Sequence, residues 1–167
     1  MDAITATPPP LNEPNLTYAP GSPERAALES ELVRLGRIQH TFKATIGGRK
    51  VAGKGAEIHV VAPHDHQHVL GTLTSSGQAE AKAAIKAAGD AAPEWRALSL
   101  DDRAAVLLRA ADLLAGPWRA KLNAATMLGQ SKTAWQAEID AACELIDFWR
   151  FNAHYAKQIV AEQPMRH

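Results

Sequence analysis

Residues 126–158 read TMLGQSKTAWQAEIDAACELIDFWRFNAHYAKQ, and how this stretch folds decides the rest. No Gly or Pro occurs from Lys132 until Pro164, and the apolar residues recur at helical spacing, so the pattern predicts one long helix. Trp135, Ile139, Ala142, Ile146, Trp149 and Ala153 form one apolar face. Glu144, Phe148, Phe151 and Tyr155 form a second row, which at roughly 100° per residue lies on the opposite side of the same helix. A helix that is apolar on two opposed sides is expected to be covered on both. The carboxylate of Glu144 then falls among three aromatic rings, where an unpartnered charge is costly. A cation is expected to meet it. The partner is either an Arg or Lys of the same protein, or the ammonium of a ligand with Phe148 and Phe151 as aromatic walls.

The neighbours of this stretch carry two weaker signals. Gly129-Gln130-Ser131-Lys132-Thr133 ends like a phosphate loop, but Thr126 and Ser131 stand where that loop needs glycines, and no strand precedes it. It is expected to be a turn between helices. Cys143 is the only thiol, set mid-helix beside Glu144 with Asp140 and Asp147 close by. A nucleophilic cysteine needs an electropositive setting, so a structural role is expected.

Towards the N-terminus the chain is alanine-rich and helical. The pattern predicts a helix over 78–91 with Ala81, Ala84, Ile85 and Ala88 as a shallow face, broken by Pro93. Ser99 is an N-cap with Asp102 at the capping-box position, opening a helix to about Ala115 that should bury Val106, Leu107, Ala110, Leu113 and Leu114. Gly116-Pro117 stops it, and a further helix over 118–128 ends at Gly129. Before these helices, residues 41–46, Gly47-Gly48 and residues 49–51 have the pattern of a hairpin. Residues 57–61 and 69–73 read as two more strands around a polar loop containing His64, His66 and His68. On a strand those three would share a face and could hold a metal, but Pro63, Asp65 and Gln67 favour a loop. Ser22-Pro23-Glu24 starts a helix over 22–36 with Leu28, Leu32 and Leu35 as its buried stripe and Gly36 at its end. Residues 1–21, with Pro8-Pro9-Pro10, form an extended arm, free or laid over the body.

Composition narrows the function classes. A chain of 167 residues suits one domain with a real core. Lys plus Arg and Asp plus Glu number 18 each, so no basic excess draws the chain to nucleic acid or an anionic membrane. No apolar run approaches the roughly 20 residues of a membrane span, and the first residues lack the basic and apolar regions of a targeting peptide. A single cysteine fits a reducing, cytoplasmic setting.

Several blocks together resemble a known family. They are Asn12-Glu13-Pro14, Gly21-Ser22-Pro23-Glu24-Arg25, the run AADLLAGP at 110–117, and above all QAEIDAACELIDF at 136–148 followed by Arg150-Phe151-Asn152-Ala153. These are similar to the N-terminal third of the 1-pyrroline-5-carboxylate dehydrogenases, a branch of the NAD-dependent aldehyde dehydrogenases. The resemblance implies an α/β parent enzyme, represented here by a mostly α-helical part with a small antiparallel sheet. It implies oxidation of L-glutamate γ-semialdehyde to glutamate, through a cysteine thiohemiacetal, hydride transfer to NAD, and release by a glutamate-activated water. It places Glu144 as receiver of the substrate's α-ammonium and Phe148 as a neighbouring wall, with Phe151 and Tyr155 as packing. It also implies a homo-oligomeric parent, with the hairpin near Ile46 contributing to subunit association. In that family the dinucleotide-binding strands and the catalytic residues come later than Pro164, so no catalytic residue is assigned here and no cofactor is expected for this chain alone. Met165-Arg166-His167 departs from the family pattern, as a truncated or shifted reading frame would. The alternative is a non-catalytic helical interaction module that holds a partner protein with its second aromatic face.

Overall fold

The structure, a computed structural model, describes residues 7–164. The first six residues of the expected arm, and the expected departure at Met165-Arg166-His167, lie outside the described residues. Helix α1 (Pro23–Gly36) is capped by Ser22, whose Oγ accepts the N–H of Arg25, and Pro23 supplies a preset φ at its start. It buries Leu28 and Leu35 against Ala124, with Leu32 and Met127 packed around them.

Strands β1 (His40–Phe42), β2 (Ala44–Ile46), β3 (Arg49–Val51), β4 (Glu57–Ala62) and β5 (Asp65–Thr74) follow. β2 and β3 pair through Gly47 and Gly48, both at positive φ (55° and 75°), the geometry of the tight hairpin turn that matches strand twist. The expected antiparallel pairing is also present between β4 and β5, and β1 joins the other edge of β5 in parallel. The single strand expected over 41–46 is therefore two, split between separate sheets. The polar loop expected between the last two strands is shorter than the sequence implied. Asp65 to His68 belong to β5, and only Pro63 and His64 turn, because register shifts at Val60–Ala62 absorb the extra residues.

Helix α2 (Gln78–Ala97) runs through Pro93, a correction to the break expected there. Pro93 removes one hydrogen bond, but Gly89 and Pro93 are exposed, so the freed carbonyl is open to solvent. The shallow alanine face is uncovered, and Ile85 is 72% exposed. In α3 (Leu100–Ala115) the Ser99–Asp102 cap forms, with Asp102 N donating to Ser99 Oγ. Ala104, Ala111 and Leu114 are its buried residues, whereas Val106, expected inside, is exposed. Helix α4 (Arg119–Gln130) passes through Gly129 and ends at Ser131 in the left-handed region (φ 57°), two residues later than expected.

The long C-terminal helix is present but not uniform. α5 (Ala134–Ala137), capped by Thr133 and Gln136, leads into a π-helical turn (Glu138–Cys143) and then α6 (Glu144–Ala161). Ala111 and Leu114 of α3 meet Ile146 of α6 in the second part of the core. No described helix is long and apolar enough to cross a membrane.

Candidate functional site

The π turn sets the geometry of the site. The N–H of Glu144 bonds the carbonyl of Ile139, and this wider loop inserts a residue into the helical phase. Where the helix enters the turn the buried positions are Ala137 and Glu138, and Trp135 is 52% exposed. From Ala142 onward, Ala142, Ile146 and Ala153 stay buried as the sequence implied. The expected first face is thus two segments out of phase.

Glu138, not Glu144, is the buried carboxylate of this helix, with 0% exposure. Its Oε1 accepts the N–H of Leu16 at 2.7 Å and a bond from Arg119 Nη2. Its Oε2 accepts from Tyr18 Oη at 2.7 Å, Asn123 Nδ2 at 2.7 Å and Arg119 Nε at 3.3 Å. Arg119 also donates through Nη1 to Glu13 Oε1 at 2.5 Å and through Nη2 to the Pro14 carbonyl at 2.7 Å. Arg150 Nη1 reaches the other oxygen of Glu13 at 2.7 Å. A buried ion pair needs this saturation, since each unpaired lone pair or N–H would add its own desolvation cost. The network fastens residues 11–18 of the arm to α4 and the π turn.

The same environment sets proton affinities. Burial alone would raise the Glu138 carboxyl, but the Arg119 guanidinium, the Leu16 N–H and the Tyr18 hydroxyl outweigh it and hold it below the usual range. Burial and the facing Glu138 push the Tyr18 hydroxyl up. Burial, and next Glu138, push the Cys143 thiol up to about 11. The structural role expected for Cys143 agrees with its burial, although the acid it faces is Glu138 rather than Asp140 or Asp147.

Glu144 is exposed, which corrects the expectation that it lies buried among three rings. It lines an open cleft of about 420 Å³ with Phe148, Phe151, Tyr155, Asn12, Asp147 and Asn152. Phe148 is 60% exposed and Phe151 half-buried. The structure therefore brings Glu144 and Phe148 together, but at a surface. Both oxygens of Asp147 are engaged by the arm, one by Asn12 Nδ2 and one by the N–H of Glu13, each at 2.7 Å. No described residue forms a hydrogen bond or ion pair with the Glu144 carboxylate.

Other candidates are used locally. His64 Nδ1 lies 2.7 Å from Ser131 Oγ, and His68 Nε2 lies 2.8 Å from the Gly36 carbonyl, so the two rings serve different contacts. Lys132 pairs with Asp140 at 2.6 Å within an interhelix turn. Sequence reasoning missed Glu138, Arg119, Tyr18 and Glu13. A signal existed for the first, because Glu138 is one helical step of four from Ala142.

Residues 50–166 match the model of the Aldehyde dehydrogenase family. The whole chain is 57% identical to the crystal structure of Delta-pyrroline-5-carboxylate dehydrogenase from Mycobacterium tuberculosis bound with NAD, with a TM-score of 0.96, and covers 31% of that chain. It is 44% identical over 158 residues to Delta-1-pyrroline-5-carboxylate dehydrogenase of Agaricus bisporus, covering 94% of this chain and 29% of that protein. It is 42% identical over 154 residues to the human mitochondrial Delta-1-pyrroline-5-carboxylate dehydrogenase, covering 92% of this chain and 27% of that protein. The chain thus spans less than a third of the length of these relatives.

Proposed function

Because the chain belongs to the aldehyde dehydrogenase family, we propose that it is the N-terminal, substrate-side part of an enzyme oxidising L-glutamate γ-semialdehyde to glutamate with NAD in proline catabolism. The observation that carries this reading is the match of the entire chain to a solved dehydrogenase of that name at 57% identity. Glu144 receives the substrate's α-ammonium and Phe148 forms the wall beside it. The chemistry supports this: Glu144 is a carboxylate without a partner among the described residues, next to aromatic surface in a cleft. In a full-length enzyme further segments would cover the cleft. Removal of water strengthens an ammonium–carboxylate contact that is weak at an open surface.

The catalytic steps belong to residues outside this chain. The described residues do not fit NAD either. The one helix entered directly from a strand is α2, and its first turn is filled from within. Glu80 Oε2 accepts the Gly77 N–H at 2.7 Å, so a carboxylate stands where a pyrophosphate would need free N–H groups. The parent enzyme is proposed to be a cytoplasmic homo-oligomer acting on a small molecule, without nucleic acid or membrane as partner. A balanced charge and a buried thiol suit that setting, while several relatives are named as mitochondrial.

Two measurements test the proposal. The purified chain alone should form no NADH from the semialdehyde, and turnover by it would contradict the absence of catalytic residues. Joined to the remainder of the Mycobacterium tuberculosis enzyme in place of the corresponding segment, the chain should give an active dehydrogenase. In that chimera Glu144→Ala should raise KM for the semialdehyde about tenfold or more, the cost of one charge-assisted contact of about 1.5–3 kcal/mol, while leaving a simple aliphatic aldehyde unaffected. Equal effects on both substrates would assign Glu144 a structural role. The exposed rings of Phe148 and Tyr155 also suit the second reading, a helical module that binds a protein. An inactive but folded chimera would favour it.

A further inference from the structure

The cleft holds two carboxylates on neighbouring turns of α6, and the arm treats them differently. Asp147 accepts from Asn12 Nδ2 and from the Glu13 N–H, so both its oxygens are committed. Glu144 has no partner among the described residues. A carboxylate can only accept hydrogen bonds, so the Asn12 amide must turn its NH₂ towards Asp147. That fixes the amide's orientation and leaves its carbonyl oxygen as an uncommitted acceptor on a residue that lines the same cleft. The arm cannot drift away, because Glu13 next to Asn12 is tied to Arg119 and Arg150.

Building on the assignment of Glu144 to the ammonium, we propose that Asn12 is a second substrate-binding residue. Its amide oxygen accepts an N–H of the α-ammonium beside Glu144, and Asp147 is the positioning residue that orients it. An ammonium has three donors, and the Glu144 carboxylate with the Asn12 amide oxygen offers it acceptors from two sides. Selectivity for an amino acid over a plain aldehyde or diacid would thus depend on an arm distant from α6 in sequence.

The test uses the chimera with the remainder of the Mycobacterium tuberculosis enzyme, in which further segments adjoin the cleft, titrated calorimetrically with L-glutamate and with glutarate, which differs only in lacking the ammonium. Wild type should bind L-glutamate more tightly than glutarate, and Glu144→Gln should abolish the preference. Asn12→Leu should weaken L-glutamate about tenfold and leave glutarate unchanged. Slow exchange of the Leu16 amide, which donates to Glu138, reports whether the arm stays docked. Asp147→Asn, which spares the Glu13–Arg119–Glu138 latch, should show the same selective loss. Unchanged preference in Asn12→Leu or in Asp147→Asn, with Glu144→Gln impaired, overturns the role of Asn12 and leaves that of Glu144 standing. No preference for L-glutamate in wild type overturns both.

Discussion

Arg119 is the side chain on which the arm and the central helix meet. It is 6% exposed and gives every guanidinium nitrogen to an acceptor: Glu138, Glu13 and the Pro14 carbonyl. Removing it would strand Glu138 without its counter-charge. Arg119→Met should therefore destabilise the chain by about 3–5 kcal/mol, read from denaturant melts. The partner variant has a pH signature. The folded Glu138 carboxyl lies below its ordinary value, so its stabilising effect is complete above the unfolded glutamate pKa of about 4.3 and is lost as pH falls from there through the folded value. Glu138→Gln should be less stable than wild type at pH 7 but should lose less stability between pH 5 and pH 3. Parallel acid limbs for the two proteins would show that Glu138 is not ionised in the fold.

At the scale of elements, the π turn and strand β5 carry the design. The π turn lets one helix present a buried glutamate to the arm and an open one to the cleft, six residues apart in sequence. A uniform α-helix would set the two carboxylates at a different angle. Strand β5 is the spine of the sheet, with β4 on one side and β1 on the other. At Gly71 the β1 backbone comes so near that an added Cβ would lie 2.2 Å from the His40 carbonyl oxygen. Neither backbone can yield without breaking the parallel pairing His40–Gly71. Gly71→Ala should cost more than about 1–3 kcal/mol, the usual penalty for overpacking a side chain, because backbone rather than side chain must move. The measurement is the melting temperature together with amide exchange in β1. A change of only a degree or so would mean that β1 is not held against β5.

As a whole molecule the chain exposes apolar surface that a protein of this size ordinarily covers. Ile85, Trp95 and Leu98 of the α2 region, Trp135, and Phe148 and Ile159 of α6 all face outward. An apolar cleft of about 270 Å³ between α3, α4 and α6 is lined by Leu113, Trp118, Leu122, Leu145 and Trp149 among others. Exposed apolar surface of this extent favours association. Sedimentation of the purified chain should show self-association that rises with concentration and is insensitive to salt, since its formal charge is balanced. A clean monomer at high concentration would mean that these faces are mutually covered in solution.

Elements with local signals were legible from the residues: the Ser22 and Ser99 caps, the Gly47-Gly48 turn, the leucine stripe of α1 and the helical run at the C-terminal end. Each depends on hydrogen bonds and torsions within a few residues, and the long block around Glu144 pointed to the family. Tertiary structure alone decided which glutamate is buried, where the arm lies, and that β1 pairs in parallel with a strand 31 residues away at Gly71. Those outcomes turn on Arg119, Tyr18 and Glu13 arriving from distant parts of the chain. A buried charge becomes tolerable only once such partners have converged, and no periodicity in one segment records where they will come from.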